Sequence, residues 1–229
     1  MTAGQAHLDP FAEQAAGYET WFDTPLGGYI DRVELAALDE LLPPPGANPV
    51  VEVGAGTGHI SRHLTRRGYH MLAVEPSRAM RAEGFRRRDA SSPEWIAGAA
   101  ERLPLRDGSP DGVLFFAVLE FVDDAGAALR EAFRVTRPGG WVAAGVLHAH
   151  SSWVALYRAL AETGMEPWRS ARFFTPEQVE TVAGAAAVRS ARAAFLAPGA
   201  EPPFEVADKA GRRAGNAPAL EILLWRKPE

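Results

Sequence analysis

The residues best suited to chemistry sit in a few short stretches. Glu52, Gly54, Gly56 and Gly58 belong to the run Val50-Val51-Glu52-Val53-Gly54-Ala55-Gly56-Thr57-Gly58-His59-Ile60-Ser61. Its apolar opening predicts a short buried strand, and Ile60 and Leu64 take up helical spacing beyond the glycines. Glycine lets backbone approach a ligand closely, and a helix start offers N–H groups without intrahelical partners, so the run predicts a nucleotide-type binding site. The spacing is G-x-G-x-G, not the G-x-G-x-x-G of dinucleotide sites. Alone, such a turn also fits another nucleotide or a plain tight turn. Glu75 follows a second apolar run about twenty residues beyond the first glycine, where an acid suits the two ribose hydroxyls. Glu120, His148 and His150 are the candidates for proton transfer, each expected at the carboxyl edge of a strand. The two histidines lie two residues apart with no third ligand in view, so no metal centre is expected.

These groups need elements to hold them. Seven strands are expected: 50–53, 70–74, 94–97, a run from Val113, 141–147, 187–195 and 220–225. Helical spacing runs from Val33 to Leu42, stopped by Pro43-Pro44-Pro45-Gly46, and from Ala127 to Val135. Ser77 and Thr175 are expected to cap helices, with Pro176 at a first helical position. Residues 1–28 carry Phe11, Tyr18, Trp21 and Phe22, predicting either a helix packed on the core or a lid that excludes water. Residues 148–186 are rich in polar aromatics and arginine and are read as a substrate-side insertion. The connection 197–218, rich in Pro, Gly and charge, is expected to be an exposed loop.

Composition narrows the functional classes. The 229 residues are 47% hydrophobic and 23% charged, as in one globular domain of ordinary α/β size. A net charge of −5 lacks the basic balance of a dedicated nucleic-acid binder, and Arg86-Arg87-Arg88 is expected to solvate a helix end. The chain has no cysteine, which removes disulfides, thiolate metal sites, iron–sulfur clusters and a cysteine nucleophile. No leader pattern is read in residues 1–10, and the apolar run Val113 to Leu119 is too short to span a bilayer. A cytoplasmic protein without membrane partner, monomeric or homodimeric, is the expectation.

Taken in order, the glycine motif, the acid after the second strand, "AERLPLRDGSPDGV", "VLEFVDD" and "RVTRPGGWV" closely resemble the class I S-adenosylmethionine (SAM) dependent methyltransferases of the small-molecule, type 11 group. The resemblance runs from about residue 48 to 147. It implies a Rossmann-like doubly wound α/β fold: a mostly parallel seven-stranded sheet with helices on both faces, its last strand antiparallel, and a small helical cap. It also implies division of one domain into an N-terminal lid (1–45), a cofactor core (48–147), a substrate-side insertion (148–186) and closing strands (187–229). SAM, leaving as S-adenosylhomocysteine, is the implied cofactor.

By the same resemblance Glu52, Gly54, Ala55, Gly56 and Gly58 hold the methionine part, covered by Tyr18. Glu75 and Pro76 hold the ribose, and Met80, Ala99, Ala100 and Glu101 lie beside adenine. Ala117 and Leu119 come close to the sulfonium. Ala99 departs from the family pattern, which places Asp there, and Glu120-Phe121 replaces a frequent His-His. The acceptor is expected to be a small apolar or aromatic metabolite methylated on O, C or N. Trp21, Phe22, Trp153 and Phe173 would surround it, with Arg169 or Arg172 binding an anionic group. A non-catalytic SAM-binding protein and an NAD(P)-linked oxidoreductase are the alternatives; the glycine spacing and the lack of Tyr-x-x-x-Lys weigh against the second.

Overall fold

The computed structural model describes residues 9–229; the reading of residues 1–10 as free of a leader lies, for positions 1–8, outside the described residues. Seven strands form one sheet: β1 (Val50–Val53), β2 (Met71–Val74), β3 (Glu94–Ile96), β4 (Gly112–Phe116), β5 (Trp141–Leu147), β6 (Arg189–Ala193) and β7 (Leu220–Arg226). Their order is β3-β2-β1-β4-β5-β7-β6. The first five are parallel to one another, and β7 runs antiparallel between β5 and β6. Chain order reverses between β1 and β4, and that switch point opens a crevice at the carboxyl ends of the strands.

The central strands are apolar without alternation because both faces are covered. One face packs on α1 (Pro25–Leu41) and α2 (His59–Arg66) through Leu38, Leu41, Ile60 and Leu64. The other packs on α4 (Ala125–Val135) and α6 (Pro176–Ala183) through Ala128, Leu129, Ala132 and Val179. Each leucine buried this completely contributes roughly 1.5–3 kcal/mol. The expected caps are present: Ser77 Oγ accepts from Met80 N at the start of α3 (Arg78–Arg86), and Thr175 forms a capping box with Gln178. Arg86 and Arg87 end α3 paired with Glu83. The insertion contains α5 (Ser152–Glu162), a 3-10 turn at Trp168–Ser170, and α6.

Two expectations change. Residues 197–218 are not simply a loop: they contain α7 (Phe204–Arg213), anchored by Asp208 Oδ1, which accepts from the N–H groups of Phe195 and Leu196. Pro203 sets the backbone before its first turn, and Phe204 and Ala207 join the cluster of Tyr29, Ile30 and Trp153, so one apolar face sufficed despite the polar composition. The N-terminal aromatics are not packed on the core either. Ala15–Trp21 forms a 3-10 helix in which Ala15 alone is buried, while Tyr18 and Trp21 keep 39% and 40% of their surface. No helix of the described residues is long and apolar enough to cross a membrane.

Candidate active site

The glycine turn closes the carboxyl end of β1. Gly54, Gly56 and Gly58 all have positive φ (70°, 56° and 81°), a region that costs a side-chain-bearing residue roughly 1–2 kcal/mol. A Cβ at Gly54 would overlap the Val118 side chain, so the turn packs directly on the segment after β4. A Cβ at Gly56 would meet no atom within 4 Å, leaving space against bare backbone. Glu75, ending β2, accepts Gly56 N at 2.8 Å on one oxygen and Ser77 N at 2.7 Å on the other. Each oxygen keeps a lone pair, and burial pushes the carboxyl up to about 7. Glu52 lies beneath the turn and accepts from Ser61 Oγ; burial holds it also at about 7. A turn with room over Gly56, a carboxylate beside it and the free N–H groups of α2 fits the methionine and ribose parts of SAM.

On the adenine side, Pro76 is exposed, Met80 and Ala100 are buried, and Ala99 is exposed. Glu101 holds backbone there. Its Oε1 accepts from Asp123 N (2.9 Å) and Asp124 N (3.3 Å), fastening the loop that leads into α4. Ala117 takes a left-handed conformation (φ 51°) where the chain leaves β4, a strained geometry of the kind found at ligand sites. Leu119, expected near the sulfonium, sits in the segment after β4. It is 1% exposed and packs with Ala125, Leu129 and Val179 in the α4 layer.

The three candidates for proton transfer are separated. Glu120 is fully buried; its Oε1 accepts Leu147 N at 2.6 Å, and its Oε2 has no partner among the described residues. Burial pushes this carboxyl up to about 7. His148 instead turns toward the sheet face under α6, with Nε2 4.0 Å from Glu221 Oε2. Burial lowers its pKa, opposed by the Glu221 charge. His150 is exposed and donates its N–H to His148 Nδ1 at 3.2 Å. Glu221 also holds Arg192 at 2.9 Å, and both line a groove of about 350 Å³ between α6 and β6. Among the described residues no group of three or more His, Asp or Glu could hold a metal ion.

The N-terminal segment bridges the two halves of the crevice. Glu19 accepts from Thr57 Oγ1 and from Arg62 Nη2 (2.6 Å), and pairs with Arg87 at 3.3 Å. Phe22 stacks on His59, with centroids 4.2 Å apart. Toward the insertion, Gln14 donates to Glu166 O, and Trp21 meets Trp153 edge-on at 6.1 Å. An aromatic wall continues from there: Trp153 to Tyr157, Tyr157 stacked on Trp168 at 3.8 Å, Tyr157 to Phe173, and Trp168 to Phe121. Trp153 is fixed by donating to Leu196 O at 2.8 Å.

Tyr18 has open surface, yet desolvation and the charges of Glu75, Glu52, Glu34 and Glu19 push its phenol up to about 12. The expected anion-binding arginines are engaged elsewhere. Arg169 pairs with Glu166 at 2.7 Å, and Arg172 donates to the carbonyls of Val122 and Asp123.

Sequence reasoning missed Tyr157 and Glu34. Burial raises the Tyr157 phenol, with smaller contributions from the Glu34 and Tyr18 charges. Glu34 was findable: it stands four residues after Ile30 and four before Leu38, an acid on the apolar stripe of α1.

Comparisons with known proteins agree with this arrangement. Residues 51–144 match the family model described as Methyltransferase domain. The chain is 38% identical over 186 residues to the demethylmenaquinone methyltransferase of Beutenbergia cavernae, covering 77% of this chain and 76% of that protein. It is 35% identical over 167 residues to an uncharacterized protein of Mycobacterium tuberculosis, covering 72% of this chain but only 55% of that one, so it spans little more than half of such relatives. Among solved structures, a SAM-dependent methyltransferase and possible histamine N-methyltransferase from Thermotoga maritima shares the fold, with TM-score 0.75 at 24% identity, 96% of this chain and 98% of that one. The sheet order, the glycine turn with its two carboxylates and the extent of these matches place the chain in the class I SAM-dependent methyltransferases.

Proposed function

We propose that the protein transfers a methyl group from SAM to O, C or N of a small, apolar or aromatic acceptor. The observation that carries this reading is the open space over Gly56 beside Glu75, at the switch point of the sheet. When bound, SAM supplies an electrophilic methyl on a sulfonium, which leaves positioning and exclusion of water to the protein. In this reading Glu75 accepts from the ribose hydroxyls, the Gly54–Gly58 backbone receives the methionine part, and Met80 and Ala100 flank adenine. Ala99 offers no side-chain acceptor to the adenine amino group, leaving backbone to do so. Tyr18 and the Glu19-anchored segment roof the site and keep water out.

Glu120 is the preferred acid or base: it is buried at the carboxyl end of β4 and has one oxygen without a partner among the described residues. Its raised pKa lets it take or give a proton near neutral pH. His148 is less suited, because its charged neighbours belong to the groove under α6, and His150 is exposed and bonded to His148. The four segments outlined from the sequence then act as lid, cofactor core, acceptor side and sheet closure. A cytoplasmic monomer or homodimer with no nucleic-acid or membrane partner completes the proposal, supported by the acidic balance.

The test is calorimetric titration with SAM, S-adenosylhomocysteine and NAD on the wild type and Glu75→Ala. Adenosyl ligands should bind and NAD should not. Losing hydrogen bonds to a charged group, worth about 1.5–3 kcal/mol, should weaken the variant roughly 10- to 100-fold. No adenosyl binding, or equal binding by the variant, would sink the cofactor assignment. Turnover with candidate acceptors separates an enzyme from a non-catalytic SAM binder.

A further inference from the structure

Glu221 is a buried acid that the methyltransferase reading leaves unused. It interrupts the apolar run of β7, Leu220-Glu221-Ile222-Leu223-Leu224-Trp225, and its side chain is only 3% exposed. In the sheet it stands opposite Val146 of β5 and Arg192 of β6, on the face it shares with Leu223 and Trp225 under α6. Its Oε1 accepts from Arg192 Nε at 2.9 Å, while its Oε2 has no partner among the described residues. A buried carboxylate is costly when an oxygen goes unmet. His148 does not meet it: Nε2 lies 4.0 Å away, beyond hydrogen-bond reach. Burial lowers the His148 pKa, opposed by the Glu221 and Glu177 charges and reinforced by His150 and Arg192, so the ring is mostly neutral at pH 7.

This acid lines the groove of about 350 Å³ between α6 and β6. Glu177 and Glu180 line it from the helix, and Leu223 and Val188 add apolar surface. Of the two arginines in the lining, Arg189 donates to the carbonyls of Glu40 and Leu41, which leaves Arg192 to answer three carboxylates. Arg192 is itself 60% exposed, so its side chain can give way at the mouth of the groove. We propose that the groove is a second small-molecule site, which takes a primary ammonium on a short alkyl chain. The ammonium donates to Glu221 Oε2 and faces Glu177, and the chain lies along Leu223 and Val188. The excess of acid selects against an anion, and an alcohol brings a donor without the charge. The site is independent of the methyltransferase reading, because β5 and β7 stand between β6 and the crevice at β1 and β4.

The experiment is an NMR titration of the isotope-labelled protein at pH 7.5 with pentylamine, 1-pentanol and pentanoate, repeated with S-adenosylhomocysteine present. Pentylamine should shift the amides of residues 188–192 and 221–223 saturably and move the His148 ring resonances. Its Kd should lie about ten-fold or more below that of either control, as expected for a charge-assisted hydrogen bond, and should not change with S-adenosylhomocysteine. Glu221→Gln should abolish the preference for the amine. Because Glu221 is buried, a surface variant accompanies it: Glu177→Gln, on an exposed position of α6, should weaken pentylamine roughly two- to five-fold without lowering the Tm. The proposal is overturned if 1-pentanol or pentanoate binds these residues as tightly, if pentylamine moves only the glycine-turn amides, or if the preference survives in Glu221→Gln. Should that variant fail to fold, undiminished affinity in Glu177→Gln overturns it.

Discussion

Replacing Glu120 by Gln should make the protein's stability less sensitive to pH, by an amount that follows from its burial. The wild-type carboxyl is fully buried and titrates near 7, against an ordinary value of 4.5. Between those values the folded state holds a proton that the unfolded chain has released, so stability falls as pH rises. The loss begins near pH 4.5 and levels off above pH 7. From pH 5 to pH 8.5 the Glu120 contribution should drop by about 2–3 kcal/mol, since a tenfold change in proton affinity is worth about 1.36 kcal/mol. Gln keeps an oxygen to accept Leu147 N and cannot ionise. Its amide group is also buried without an evident partner, a cost of about 1–3 kcal/mol, but that cost does not change with pH and cancels when the two pH values are compared. Urea unfolding of both proteins at pH 5 and pH 8.5 measures the difference directly. A wild-type-minus-variant gap that moves by less than about 1 kcal/mol would refute the assignment of Glu120 as a buried carboxyl without a counter-charge.

Two further outcomes distinguish neighbouring residues. Gly54→Ala should destabilise the fold by about 2–4 kcal/mol, since strained φ and overlap with Val118 add together, while Gly56→Ala should cost only about 1–2 kcal/mol yet weaken S-adenosylhomocysteine by filling the space over the turn; thermal melts and calorimetry on the same samples separate the effects. His148→Ala should change turnover less than three-fold once an acceptor is in hand, because its ring faces Glu221 under α6; a hundred-fold loss in kcat would return it to the reacting centre.

Most of the framework was readable because it is written in local patterns. Each of the seven expected strands is present with ends shifted by a few residues, and Ser77 and Thr175 cap as their side chains imply. The glycine turn and Glu75 were equally plain, since positive φ and a strand-end acid leave direct marks in sequence. What sequence spacing does not carry is the direction in which a strand-end residue turns. His148 directly follows β5 and Glu120 lies in the segment after β4, on the same edge, yet one enters the α6 face and the other is walled in at Leu147 N. Nor could arginine content alone reveal that Arg169 and Arg172 are consumed by Glu166 and by backbone carbonyls. The helix at Phe204–Arg213 was hidden by its polar surface, with few apolar positions anchoring it.

The segment around Glu19 has a kinetic meaning. One carboxylate grips Thr57 and Arg62 beside the glycine turn, while residues on either side of it, Gln14 and Trp21, lean on the insertion. In the proposed methyltransferase, a ligand passing beneath this strap would have to break the same bonds, so loading and unloading would share one event. Ionic strength, which weakens the arginine pairs of Glu19, should then quicken release as it loosens binding.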